Sequence, residues 1–207
     1  MPKLLSECVK IFLDTSVIVN LFKTEVNADS SVLSSKKIIK FLLDNPAKIP
    51  NGKNKLVDTP RTFYYSAVSL SEIILIDSDE EKTRKMAQAL AGVDIELVSF
   101  SKDVALRHNQ LFKNYVNKPF LNDYARTHKL FVNDLKFGRE WISRDFMIMA
   151  TADFVGADVL LTADKADFKP LADKIGVFCQ LTDLSEYNVS PDEKDIKFRF
   201  ENTLFDY

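Results

Sequence analysis

Four carboxylates in this sequence stand where a chain passes between a strand and a helix. Asp14 follows the apolar run VKIFL, Glu72 lies in AVSLSEIILI after the strand-like FYYS, Asp145 opens DFMIMATADFVG, and Asp164 comes two residues after DVLLT. Each has an ordinary reading when taken alone. Asp14 caps the next helix, and Ser69-Leu-Ser-Glu72 matches a capping box in which Glu72 reaches back to the Ser69 N–H. Asp145 complements a helix dipole from a first turn, and Asp164 makes an Asx turn. The conjunction points elsewhere. Four acids on one rim repel each other and do not stay ionised together without cations. Hard divalent ions with oxygen ligands, Mg²⁺ or Mn²⁺, resolve that conflict. Two such ions, roughly 4 Å apart, activate a water and stabilise the leaving oxygen of a phosphodiester.

For these acids to meet, the elements must deliver them to one edge. VKIFL reads as a strand ending at Asp14, with Thr15 and Ser16 able to cap the helix SVIVNLFK. Residues 31–44 carry apolar residues at helical spacing. FYYSAVS reads as a strand leading into the helix that holds Glu72 in its first turn. Residues 79–91 look helical and IELVSF (95–100) strand-like. Asp145 begins a helix closed by Gly156, DVLLT is a buried strand, LADKIG is helical, and VFCQL is the last strand. Alternation of this kind implies βα units around a mainly parallel sheet, an α/β fold with helices on both faces. The carboxyl ends of parallel strands share one edge, which is where such sheets build their sites.

The remaining segments read as additions to a single domain spanning 1–207. Residues 45–62 hold three prolines, one glycine and four basic residues, and read as a loop insertion. The segment 101–143 is polar and mostly helical, with a break at Asn117-Lys118-Pro119. Over 102–144 it carries nine Lys/Arg and four Asp/Glu, 9 − 4 = +5 in a chain of net charge −2. Phe112, Tyr115, Phe120, Tyr124, Phe131, Phe137 and Trp141 interleave those charges. Bases for phosphates and aromatic faces for stacking would suit single-stranded RNA, although such aromatics also serve to pack helices onto a sheet. Arg144, next to Asp145, is the basic residue placed nearest the acids. Lys48, Lys53, Lys55 and Arg61 form a second basic group. The C-terminal extension, 185–207, is charged and has no evident place in the core.

Cys8 and Cys179 lie in apolar surroundings and read as buried reduced thiols. No Cys/His cluster suggests zinc. There is no signal peptide, and no apolar run approaches the roughly 18 residues of a membrane span, so the reading is a cytoplasmic protein with no membrane partner.

LDTSVIVNLF, AVSLSEIILI and RDFMIMATADFVGADVLLTADKADF together resemble the PIN-domain ribonucleases, and among them the VapC-like toxins of toxin–antitoxin modules. The resemblance spans roughly 8–22, 63–77 and 143–182, with 19 residues from Asp145 to Asp164. It implies a PIN-like three-layer fold and a Mg²⁺ or Mn²⁺ site held by Asp14, Glu72, Asp145 and Asp164. Ser16 and Thr162 would orient ligands or waters, and Asp167 would share or replace the role of Asp164. It further implies cleavage of RNA, an antitoxin partner and a homodimer. The chain departs from compact members at 45–62, 101–143 and after 185. Two rivals are weighed against this. A haloacid-dehalogenase-like phosphotransferase would want an Asp where Ser16 stands. A non-catalytic PIN-like scaffold that binds RNA or protein would keep the fold without the chemistry.

Overall fold

β1 (Lys10–Leu13) is the central strand of the molecule, and its four residues explain most of the architecture. Ile11, Phe12 and Leu13 are fully buried, so apolar side chains leave both faces of the strand and both faces need cover. Strands of this kind pair in parallel sheets sheltered by helices. β1 pairs in parallel with β4 (Thr62–Ser66) on one side and β6 (Val159–Thr162) on the other. β5 (Ile95–Val98) and β7 (Cys179–Leu181) complete a five-stranded parallel sheet in the order β5-β4-β1-β6-β7. The computed structural model describes residues 5–23, 25, 28–52, 55–76, 80–92, 95–127, 135–189 and 196–198.

Side chains alternate across the sheet and feed two cores. Ile11, Leu13, Phe63, Tyr65, Val159 and Leu161 point to one face. There they meet α1 (Thr15–Phe22), α2 (Ser30–Asp44), α3 (Ala67–Ile76) and α4 (Glu80–Gly92). Phe12 and Leu160 point to the other face, against α5 (Lys102–Tyr115), α6 (Lys118–Thr127), α7 (Leu135–Phe154) and α8 (Phe168–Ile175). The result is three layers. Burial of one such side chain contributes about 1.5–3 kcal/mol, and truncating Phe12 to Ala would cost about 3–5 kcal/mol.

The α/β class and the parallel sheet agree with the sequence reading, and several details correct it. The stretch 45–62 is not a plain loop: β2 (Ala47–Pro50) and β3 (Leu56–Thr59) form an antiparallel hairpin. Its prolines sit at strand ends, where no ladder bond is lost. Asp145 does not open a helix. α7 begins ten residues earlier, at Leu135, because LKFGREWIS continues the helical pattern through a glycine that tertiary packing tolerates. The C-terminal extension does enter the core: Tyr187 is buried and its hydroxyl donates to the Leu181 carbonyl at 2.7 Å. Tyr187 begins β8 (Tyr187–Val189), which pairs with β9 (Ile196–Phe198).

Cys8 and Cys179 are buried thiols not joined by a disulfide, as expected. Among the described residues no helix is long and apolar enough to cross a membrane.

Candidate metal centre

Asp14 sits where β1 becomes α1. Its N–H still bonds the Leu161 carbonyl of β6 at 2.9 Å, while its side chain caps α1. Its Oδ2 accepts from Ser16 N–H at 3.4 Å, Ser16 Oγ at 2.6 Å and Thr162 Oγ1 at 2.8 Å. Asp14 is therefore the N-cap, and Thr15 and Ser16 are the first helical residues rather than caps. Burial pushes its pKa up, against the opposing pull of the hydrogen bonds from Ser16 and Thr162.

Ser16 and Thr162 knit the two strand ends together. Ser16 Oγ, besides donating to Asp14, accepts from the Ala163 N–H at 2.9 Å. Thr162 Oγ1 accepts from the Asp164 N–H at 3.0 Å. Asp164 forms the Asx turn, its Oδ1 accepting from the N–H groups of Ala166 and Asp167 at 3.0 and 2.9 Å. It also lines the cleft described below. Asp167, half-buried, stands at the start of α8 without capping it.

Glu72 does not form the capping box. α3 starts at Ala67, which puts Ser69 inside the helix, and Ser66 Oγ caps the Val68 N–H instead. Glu72, in the second turn rather than the first, reaches across to α1 and accepts from Thr15 Oγ1 at 2.5 Å.

Asp145 projects from the middle of α7. Its pKa is raised well above the ordinary carboxylate range, first by burial and then by the charges of Asp14, Glu72, Asp164 and Asp167. Among the described residues, no hydrogen bond or ion pair reaches its carboxylate. A half-buried carboxylate within Coulombic reach of four others carries negative charge that a cation would offset.

Asp14, Glu72, Asp145 and Asp164 all line one cleft of about 520 Å³, with Ser16 and the exposed Arg144 on its wall. Tyr124 of α6 stands close enough to Asp145, Asp167 and Asp164 that their charges, after burial, raise its pKa. The acids share a cleft without forming a cage. Among the described residues, no group of three or more His, Cys, Asp or Glu is drawn closely enough together to hold a metal ion. In donor type the lining suits a hard divalent cation, and the uncompensated Asp145 is the observation that asks for one. Holding an ion would require these side chains to swing inward.

Sequence reasoning missed Thr15 as the partner of Glu72, and Asn20, Lys23, Asp29 and Ser31 as cleft residues. The available signal was the short link between α1 and α2. The first two turns of α2 lie beside α1, where Asn20 Nδ2 donates to Ser31 Oγ at 3.2 Å and Ser35 Oγ at 3.1 Å.

The interleaved aromatics divide. Phe112 and Phe120 are core residues, Phe112 packing edge-on against Phe146, and so are not free to stack on bases. Tyr124 is half-buried and Tyr115 is exposed. Phe131 and the side chains of Phe137 and Trp141 lie outside the described residues. His108 contacts Ser143 Oγ at 3.3 Å, away from the cleft lining, and His128 lies outside the described residues. In the second basic group Lys48 pairs with Asp58, and Arg61 is spent on backbone carbonyls, among them Leu5, Cys8 and Asn45. Lys55 is exposed, and Lys53 lies outside the described residues.

No family model matches the chain. No curated protein matches it either. Among solved structures, it is similar to a chain of VapBC2 from Rickettsia felis bound to a DNA fragment from their promoter. The identity is 13%, over 83% of this chain and 98% of that chain, with a TM-score of 0.48. It is similar to a chain of DNA-bound VapBC from Salmonella typhimurium at 14% identity, over 84% and 98%, with a TM-score of 0.49. A chain of VapBC-1 from nontypeable Haemophilus influenzae gives 14%, 84%, 98% and 0.45.

Proposed function

We propose that this chain is a Mg²⁺- or Mn²⁺-dependent endoribonuclease of the PIN-like kind, acting as the toxin of a toxin–antitoxin pair. The observation that carries the reading is Asp145: a half-buried carboxylate that lines the cleft with Asp14, Glu72 and Asp164 and that no hydrogen bond or ion pair reaches among the described residues. Asp14, Asp145, Asp164 and Glu72 would hold the ion. When bound, it would supply an activated water and stabilise the leaving oxygen of a phosphodiester.

The chain's own residues have distinct parts in this scheme. Ser16 and Thr162 fix the orientation of Asp14 through two short hydroxyl bonds. Thr15 fixes Glu72. Arg144, exposed on the cleft wall, would hold a substrate phosphate. The sequence resemblance brings an antitoxin segment over the cleft and a homodimer into the proposal.

The test is cleavage of a mixed-sequence single-stranded RNA by the full chain with Mg²⁺, with Mn²⁺ and with EDTA, alongside Asp14→Asn. Cutting that needs the metal and is lost in the variant is the expected result. Metal-independent cutting, or a variant that cuts at the wild-type rate, would sink the reading.

A second reading, the non-catalytic scaffold, is favoured by the open arrangement of the acids. A scaffold without a metal site would show no saturable stabilisation when Mg²⁺ or Mn²⁺ is titrated in.

A further inference from the structure

Beside the acid cleft lies a second, smaller cavity of about 150 Å³, far beyond the roughly 10–15 Å³ that admits one water. Ser30, Ser31 and Ser34 line it from the first turns of α2, and Lys165, Thr182 and Asp183 line it from the sheet edge. The two cavities share Ser31 and Ala163, so they adjoin.

Ser34 gives the cavity its meaning. The residue is only 7% exposed, yet its hydroxyl has no hydrogen-bond partner among the described residues. A helical serine ordinarily returns its hydroxyl to a carbonyl one turn back, and this one is left for whatever fills the cavity. Ser69 Oγ is the fully enclosed orphan among the described residues, so Ser34 Oγ keeps its contact with the cavity.

Around it stand a helix N-terminus, one ammonium group and one carboxylate. α2 runs for 15 residues and presents its positive end here. Its cap, Asp29, takes only the Val32 N–H with its side chain, which leaves first-turn N–H groups without helical partners. Lys165 adds an ammonium group. Asp183 accepts from the Ser185 N–H at 2.9 Å and lies within Coulombic reach of Lys165. Hydroxyls, an ammonium and a helix N-terminus together suit an oxyanion.

We propose that this pocket is an oxyanion subsite that takes a phosphate group of the polynucleotide next to the one lying over the carboxylates. The proposal rests on the ribonuclease reading, and it supplies what the acid cleft lacks: a grip on the chain that does not depend on the metal.

The test uses the full chain in EDTA, so binding is read without cleavage. Inorganic phosphate is titrated against thermal stability, and a short single-stranded RNA against fluorescence anisotropy, for wild type, Ser34→Ala and Lys165→Met. Ser34→Ala breaks no internal hydrogen bond and therefore keeps the fold. The expected result is saturable stabilisation of wild type by phosphate, lost in both variants, with RNA bound about three- to tenfold more weakly by Ser34→Ala. If Lys165→Met alone weakens binding while Ser34→Ala behaves as wild type, the effect is charge steering and the subsite is refuted. Loss of RNA affinity in Ser34→Ala from a chain that never cuts RNA would uphold the pocket and fell the nuclease reading instead.

Discussion

Thr15 Oγ1 donates to Glu72 Oε2 at 2.5 Å, across 57 residues of sequence. The bond ties the first turn of α1 to the second turn of α3 and sets one carboxylate of the cleft. Thr15→Val keeps the shape and removes the donor. It should lower stability by about 1 kcal/mol, less than the roughly 1.5–3 kcal/mol of a fully buried bond to a charged group, because Glu72 is half-exposed. Urea midpoints measure this, and an unchanged midpoint would mean that the contact carries no weight in solution.

Asp145 predicts a pH dependence whose sign follows from its raised pKa. In the unfolded chain its carboxyl titrates near 3.9. Below that value both states are protonated and there is no penalty. As pH climbs through the raised folded value, the unfolded state gives up its proton more readily and stability falls. In EDTA the wild type should therefore weaken from acid to neutral pH. Asp145→Asn should be more stable than wild type at pH 7.5. Equal denaturation midpoints for the two proteins at that pH would contradict the assignment. Saturating Mg²⁺ should reverse the order, because only the wild type keeps the Asp145 carboxylate for the ion to pair with.

Thr162 holds Asp14 from β6, so Thr162→Val should cost about 10- to 100-fold in metal affinity or cleavage rate, with Thr162→Ser restoring most of it. A Val variant titrating like wild type would show that Ser16 alone suffices to orient Asp14.

A control lies at the end of α7. Gly156 has φ +63° and its N–H bonds the Asp153 carbonyl at 3.0 Å, with nothing within 4 Å of where a Cβ would stand. Gly156→Ala should cost about 1–2 kcal/mol from backbone conformation alone and leave cleavage per folded molecule unchanged. A loss of activity at full folding would tie this turn to the site.

The sequence exposed the parts that depend on short-range pattern. Apolar runs such as VKIFL and DVLLT marked buried strands, and acids at their ends marked the edge. Helix boundaries that depend on tertiary packing were less visible. The polar composition of 135–143 did not show that α7 runs on into DFMIMATADF, and Asp145 was placed at a terminus it does not occupy. The hairpin at 47–59 was hidden by prolines that disfavour strands in isolation. Ser69-Leu-Ser-Glu72 fits a local motif that the fold overrides, because Ser66 takes the cap and frees Glu72 for Thr15. Partnerships across 57 or 148 residues leave no trace in local spacing.

The pairing of β1 with β6 has a consequence for the order in which the protein is made. Leu13 lies in register with Leu161, and Asp14 takes its hydroxyl bond from Thr162. A nascent chain has the first of these residues almost at once and waits nearly 150 residues for the second. Until β6 leaves the ribosome, β1 lacks one neighbour, Asp14 lacks its Thr162 clamp, and the cleft lacks its last wall. Whatever this centre does, no half-made molecule can do it.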